Sequence, residues 1–182
     1  MGEFINSLVR ILFGDTSVDQ ANERTRVQPT MIRKITTPSP SFRNERLLNE
    51  ILMIGSRFAN SGGIFYDEQN FDWIMIPRYP LPERWRERWC KLLIVPPQDY
   101  PSIPPIGFYL NRKFHLKGGG SDVHATGRAY HGAPDLLRAG WYWYCVTIQN
   151  GPGGWQPSAD YRQPDNLFTF LNMIRESLTN DF

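Results

Sequence analysis

An α+β fold is the class that this sequence predicts, and three observations predict it. An amphipathic helical pattern comes first, four short apolar runs separated by tight turns follow it, and a second amphipathic helical pattern lies near the carboxyl end. Strands that are joined by short turns pair as an antiparallel meander. One face of a meander must be covered, and the two flanking helices can cover it.

Composition and charge restrict the class of protein. The 182 residues allow one domain of ordinary size with extensions, and 41% hydrophobic residues can form a core. The formal net charge of +2 is spread along the chain, so we expect no nucleic-acid partner. No apolar run approaches the roughly 20 residues that cross a bilayer, so we expect a soluble protein of the cytoplasm, without a membrane partner.

The first 40 residues divide into two segments. Residues 1–15 carry apolar side chains at helical spacing as far as Gly14, which predicts a short amphipathic helix. This helix has two open interpretations, packing on the domain and docking on a partner or a membrane surface. Residues 16–40 are polar and contain three prolines, so we expect a linker there and a single domain over 41–182.

The domain begins with a predicted helix over Arg43–Ala59. Apolar residues recur along it at steps of four, three and four, which gives one face toward a core; these are Leu47, Ile51, Ile54 and Phe58. We expect the polar residues of this helix to form its solvated back: Arg43, Glu45, Arg46, Asn49 and Glu50.

Four strands are predicted after this helix: Ile64–Tyr66, Phe71–Ile76, Trp85–Val95 and Pro105–Leu110. Prolines are expected to break the chain after the second strand. Cys90 lies inside the third strand, where we expect it to be a packing residue. A long irregular stretch follows the fourth strand. The last helix is predicted to start at Asp165, a suitable N-cap, because an apolar stripe follows it.

The segment 140–158 carries the candidate chemistry. Cys145 lies in an aromatic run, ahead of a Gly/Pro loop and the sequence Trp155-Gln156-Pro157-Ser158. Most free cysteines behave as small buried hydrophobes, and the aromatic neighbours favour that interpretation. The alternative is a nucleophile at the mouth of a cleft whose rim is formed by residues 150–154. The order of the flanking segments favours the nucleophile.

All three histidines, His115, His124 and His131, lie within 17 residues of each other. A metal site would need them at ligand spacing, with help from groups such as Asp122 and Cys145. No recognised spacing is present. Two cysteines without a CxxC pair predict no structural zinc site either. We therefore expect no metal and no cofactor, and we expect one or two of the histidines to line the cleft.

This order of elements and motifs resembles the ubiquitin-conjugating enzyme (UBC) fold over about residues 41–182. The helix Arg43–Ala59 stands where the first helix of that family stands. The run Leu93–Pro101, followed by Pro104-Pro105, is similar to the family's strand, Tyr-Pro and Pro-Pro signature. The resemblance implies a UBC-like domain with an N-terminal helix, a four-stranded antiparallel meander, an active-site loop region and a C-terminal helix.

Two further motifs carry the resemblance to the family's reaction centre. Phe114-His115 falls where the family has the histidine of its His-Pro-Asn tripeptide, although Leu116-Lys117 replaces the Pro-Asn. Cys145, followed ten residues later by Trp155 and then a helix, is similar to the active cysteine and the Trp-Ser-Pro turn. About 30 residues separate His115 from Cys145, more than is usual in the family. The divergent prokaryotic branch, with its antiphage conjugation systems, is the most similar.

The resemblance implies a transferase with three protein partners. Cys145 would accept a ubiquitin-like protein as a thioester from an activating enzyme and pass it to an amine of a target protein. The candidate oxyanion donors are His131, His124, Asn150 and the backbone amides of residues 151–154, of which His131 or the amides are preferred. The implied substrate-binding residues are His115, His124, Trp155 and Asp160.

Two other functions remain open at this point. A UBC-like binding module would keep the fold while the aromatic run 141–144 buries the sulfur. A cysteine hydrolase would pair Cys145 with His131 and would turn over a thioester without an acceptor.

Overall fold

Two helices and a five-stranded sheet make up the described part of the chain. The computed structural model describes residues 41–119, 129, 132–146 and 154–180. The elements in chain order are helix α1 (Phe42–Phe58), strands β1 (Phe65–Tyr66), β2 (Ile74–Pro80), β3 (Trp89–Ile94), β4 (Gly107–Leu110) and β5 (Tyr142–Cys145), and helix α2 (Leu167–Thr179). The predicted α+β class is confirmed. The predicted helix 1–15 and linker 16–40 lie outside the described residues.

The sheet has the strand order β1-β2-β3-β4-β5, and every neighbouring pair is antiparallel. The predicted meander is therefore confirmed, but it has five strands rather than four. The fifth strand, β5, was not predicted, because its sequence does not alternate between apolar and polar residues. Both of its faces are buried: Trp143 is 2% exposed and its neighbour Tyr144 is 1% exposed.

The boundaries of the second and third strands differ from the prediction. β2 does not stop before Pro77; it continues to Pro80, because a bulge between Ile76 and Tyr79 takes the proline out of the regular ladder. β3 starts at Trp89 rather than Trp85. Trp85 instead forms an isolated bridge with Leu116.

The two faces of the sheet have different neighbours. Tyr79, Leu92, Phe108 and Tyr144 belong to the same buried cluster as the apolar stripes of α1 and α2. The opposite face, called here the outer face, includes Tyr109 and Trp143, which are also buried. The hydroxyl of Tyr109 donates to the carbonyl oxygen of Pro134 at 2.7 Å, so the segment 132–136 lies against this outer face.

Helix α1 confirms the apolar stripe and corrects the prediction for its charged residues. Ser41 caps the helix by accepting from the Asn44 N–H at 3.2 Å. Arg43, Arg46 and Glu50 are buried rather than solvated. Arg43 is buried because its guanidinium donates to four backbone carbonyl oxygens, those of Asn70, Phe71, Pro96 and Pro97.

The N-cap of helix α2 is one residue later than predicted. It is Asn166, whose side-chain oxygen accepts from the Thr169 N–H at 3.0 Å. Asp165 does not cap the helix, because its φ is 65° and its carboxylate accepts from the Gln156 N–H at 2.7 Å. Among the described helices, none is both long and apolar enough to cross a membrane.

Candidate active site

Cys145 is the last residue of β5 and is partly exposed. It lies directly opposite Gly107, the first residue of β4. The next residue, Val146, donates its N–H to the carbonyl oxygen of Ile106 at 3.1 Å, and the Cys145 Sγ lies 4.0 Å from that same oxygen. Side chains alternate along a strand, so Cys145 shares the outer face with Trp143. The thiol therefore stands at a strand end on the side away from the helices.

Gly107 allows the close packing around this thiol. A Cβ at residue 107 would come within 2.7 Å of the Trp143 ring and would overlap the Tyr144 carbonyl oxygen. Real Cβ atoms do not tolerate such contacts, so a larger residue would push β5 away from β4. The absence of a side chain at Gly107 thus sets the position of Cys145.

An apolar groove of about 190 Å³ lies along the outer face next to the start of β4, and Cys145 itself does not line it. Ile106 and Gly107, which face Cys145 across the strand pair, line one end of it. Tyr109, Pro134 and Trp143 form further walls. Such an apolar groove suits an extended chain segment with small or apolar side chains.

Burial raises the pKa of the Cys145 thiol above its ordinary value. Desolvation is the only cause, and no Lys, Arg or His among the described residues opposes it. A free cysteine is only a few per cent thiolate at neutral pH, and Cys145 is below that fraction. The sulfur is therefore partly exposed, and none of the described residues supplies a charge that would lower its pKa.

A buried polar network joins the two helices to the loop that precedes β4. Glu50, with 0% exposure, accepts hydrogen bonds from the Arg46 Nε and the Tyr100 hydroxyl. It also accepts from the Leu167 N–H at 2.7 Å, at the first residue of α2. A carboxylate in this place satisfies an unpaired helix N–H and stabilises the positive end of the helix dipole. Glu50 therefore joins α1, the Tyr100 loop and α2.

The turn Trp155–Ser158 is fixed to the same network. The Trp155 indole N–H donates to the carbonyl oxygen of Pro101 at 2.7 Å. Arg46 donates from Nη1 to the Ser158 carbonyl oxygen at 2.6 Å. Because residues 101–106 lead directly to the carbonyl beside Cys145, the network holds both the turn and the strand on which the thiol depends.

His115 and Asp160, two further residues of the predicted site, make their contacts elsewhere in the described part of the chain. His115 is exposed and lies five residues beyond Leu110, whereas Cys145 faces the opposite end of β4. Its carbonyl oxygen accepts from the Arg86 N–H at 3.0 Å. Asp160 is exposed, and its carboxylate accepts from the Arg162 N–H at 3.0 Å within its own turn. The predictions for His124, His131 and Asn150 fall outside the described residues.

Sequence reasoning missed Arg46, Glu50 and Tyr100. A signal was present, since Arg43, Leu47, Glu50 and Ile54 follow one another at steps of four, three and four along α1. This spacing places the charges beside the apolar stripe rather than opposite it. In the part of the chain that the structure describes, no group of three or more His, Cys, Asp or Glu residues is arranged to hold a metal ion.

Comparison of the chain with models of protein families, with curated proteins and with solved structures gave no match in any of the three.

Proposed function

We propose that this protein is a ubiquitin-conjugating-like transferase that carries a ubiquitin-like protein as a thioester on Cys145. The observation that carries the proposal is the place of the thiol. It is partly exposed at the end of a strand in an antiparallel sheet, and the outer face of that sheet carries an apolar groove. Downstream, Arg46 of the first described helix donates to the Ser158 carbonyl oxygen of the Trp155–Ser158 turn. Glu50 of the same helix accepts from the Leu167 N–H at the start of α2. This is the order of parts on which the resemblance to the UBC fold rests.

The proposed reaction has two acyl transfers. The Cys145 thiolate attacks the thioester carbonyl on the activating enzyme, so a new C–S bond forms and the thiol of that enzyme leaves. An amine of the target then attacks the carbonyl on Cys145, which forms a C–N bond and releases the Cys145 thiol. The amine loses a proton in this step. Thioester exchange is nearly balanced in energy, so a thiol without strong activation suits the first transfer.

A UBC-like binding module is the second candidate function. The observation in its favour is that burial raises the pKa of Cys145 while no described cation lowers it. In this function the apolar groove would hold a partner segment and the thiol would remain unreacted. A cysteine hydrolase has no comparable support among the described residues.

The experiment that tests these functions uses a peptide whose C terminus is a thioester of a small thiol. The full chain is mixed with this peptide at pH 8, and the intact mass is measured without reductant. We expect an adduct that is removed by dithiothreitol, that is absent in Cys145→Ala and that persists in Cys90→Ala. The same readout with the presumed activating enzyme, the ubiquitin-like protein and ATP then tests the physiological acyl donor.

Each alternative gives its own result in the peptide experiment. A hydrolase releases the free peptide acid faster than buffer does, and the release depends on Cys145. A binding module gives neither adduct nor acid. An adduct that survives Cys145→Ala contradicts the site assignment.

A further inference from the structure

The fold brings two cationic segments together at one end of the sheet. The Arg86 N–H donates to the His115 carbonyl oxygen at 3.0 Å, and the Lys117 N–H donates to the Arg84 carbonyl oxygen at 2.8 Å. The Arg86 Nε also donates to the carbonyl oxygen of Leu116 at 3.2 Å. Residues 115–117 therefore lie along residues 84–86, and Asn111 donates its N–H to the Lys91 carbonyl oxygen at 3.3 Å. The two segments are residues 78–91 and 111–117, and their cations form what we call the basic patch: Arg78, Arg84, Arg86, Arg88, Lys91, Arg112, Lys113 and Lys117.

The charge of this patch differs in sign from that of the remaining chain. Eight cations and the two carboxylates of Glu83 and Glu87 give these segments a net charge of +6, which leaves −4 for all other residues out of the total of +2. Seven of the eight cations are exposed, the exception being the half-buried Arg84. The small net charge of the sequence conceals this separation. A surface with such a charge attracts polyanions.

Aromatic rings lie among these cations. Trp89 is 44% exposed, and the Arg78 guanidinium lies over its ring at 5.0 Å from the centroid. Arg112 lies over Phe114 at 5.1 Å, and Arg84 lies over Trp85 at 5.7 Å. Guanidinium planes and exposed indole rings are the surfaces on which unpaired bases stack. The basic patch thus combines contacts for phosphates with a stacking position at Trp89.

We propose that the basic patch binds single-stranded nucleic acid. Its cations contact the phosphates, and a base stacks at the Trp89–Arg78 pair. The patch consists of strand ends and loops, without a projecting helix that could enter a duplex groove, so it suits a strand whose bases are free. The patch lies at the end of β4 away from Cys145, because Cys145 faces Gly107 whereas Arg112 follows Leu110. This binding is independent of the proposed thiol chemistry.

The test measures the fluorescence anisotropy of labelled dT20 with the full chain between 25 and 200 mM KCl. We expect the dissociation constant to rise at least about tenfold from 50 to 200 mM salt, because cations displace counterions from the phosphates. Arg88→Glu combined with Lys113→Glu should weaken binding at least about tenfold at low salt. Trp89→Ala should weaken it about fivefold or more without changing the salt dependence, because it removes stacking rather than charge.

Matched controls test whether dT20 binds to the basic patch or is attracted to cations anywhere on the protein. Arg138→Glu and Arg162→Glu change exposed arginines outside the patch, and each should change the affinity less than about twofold. Labelled poly-glutamate of 20 residues supplies a similar charge without bases and should bind more weakly than dT20.

Four results would overturn the proposal. Absence of dT20 binding at 50 mM KCl contradicts the proposal that the patch binds single-stranded nucleic acid. Equal or tighter binding of poly-glutamate, or no effect of Trp89→Ala, assigns the patch to an acidic protein surface instead. A duplex of the same length that binds more tightly than dT20 excludes recognition of the single strand. Circular dichroism of each variant confirms that a loss of binding is not a loss of fold.

Discussion

The two cysteines of this chain occupy opposite kinds of position in one sheet. Cys90 lies within β3, is 4% exposed and places its sulfur 3.7 Å from the Tyr79 carbonyl oxygen in the core. Cys145 ends β5, the last strand of the described sheet, and is partly exposed on the outer face. Burial raises the pKa of both thiols. Access, rather than activation by charge, therefore distinguishes the candidate nucleophile from the packing residue.

The largest expected difference between the two thiols is in their rate of alkylation. We expect iodoacetamide at pH 8 to label Cys145 at least about 1000-fold faster than Cys90 in the folded protein, because Cys90 becomes reachable only when the core opens. Peptide mapping by mass spectrometry after timed quenching measures both rates. In 6 M guanidinium chloride the two rates should converge. Similar labelling rates for Cys90 and Cys145 without denaturant would show that the two thiols do not differ in access.

A change at Glu50 tests whether the buried network supports the site of Cys145. Glu50→Gln leaves the Arg46 guanidinium buried without its carboxylate and should lower the free energy of unfolding by about 3 kcal/mol. Urea unfolding measures this loss. The labelling rate of Cys145 at low urea should rise with it, because losing the ion pair with Arg46 weakens the network that holds Tyr100, the residue that leads into residues 101–106. Glu176→Gln, an exposed carboxylate of α2, is the control and should change stability by less than about 0.5 kcal/mol.

If Glu50→Gln destabilises the protein but leaves Cys145 labelling unchanged, the network serves the fold and not the site. If Glu50→Gln lowers the free energy of unfolding no more than Glu176→Gln does, the ion pair between Arg46 and Glu50 does not stabilise the fold as expected.

The apolar periodicity of α1 and α2, the antiparallel order and the burial of Cys90 could be predicted from sequence, because each depends on residues close together in the chain. The roles of Arg46 and Glu50 could not, since their partners at Ser158 and Leu167 are 112 and 117 residues away. The sequence identifies a charged residue, but it does not identify the distant groups whose hydrogen bonds allow that residue to be buried.

Three other features of the structure could not be predicted, because the sequence near them carries no pattern that indicates them. β5 lacked alternation because both of its faces are buried, so its aromatic run was not identified as a strand. The basic patch depends on hydrogen bonds between residues 84–86 and 115–117, which join two segments of moderate charge into one surface. The motif around Cys145 was visible in the sequence, whereas the wide separation of His115 from it along β4 was not.

Gly107 offers a change that should affect Cys145 while leaving Cys90 protected. Gly107→Ala brings a methyl group against the Trp143 ring and the Tyr144 carbonyl, so we expect a loss of about 2 kcal/mol in unfolding free energy. β5 should move, and Cys145 labelling should accelerate several-fold relative to Cys90. Gly55→Ala is the matched control, because nothing lies within 4 Å of the added Cβ in α1 and the helix should gain up to about 1 kcal/mol.

Equal destabilisation by both alanine substitutions would show that close packing at Gly107 does not position β5. Acceleration of Cys90 labelling to the same extent as Cys145 would indicate a general loss of stability rather than a local movement.

The pH dependence of Cys145 alkylation tests whether this thiol is without an activating charge. Burial raises its pKa, so the protonated thiol is favoured in the fold and the thiolate fraction increases as the pH approaches the raised value from below. The labelling rate should rise about tenfold per pH unit from pH 7 to 9 without a plateau. The same chain in 6 M guanidinium chloride, labelled in parallel, should show a larger thiolate fraction at each pH, because its thiols lack the burial that raises the pKa in the fold. A plateau below pH 8 for Cys145 would mean that a cation stabilises the thiolate, and it would favour catalysis by an activated nucleophile over the binding module.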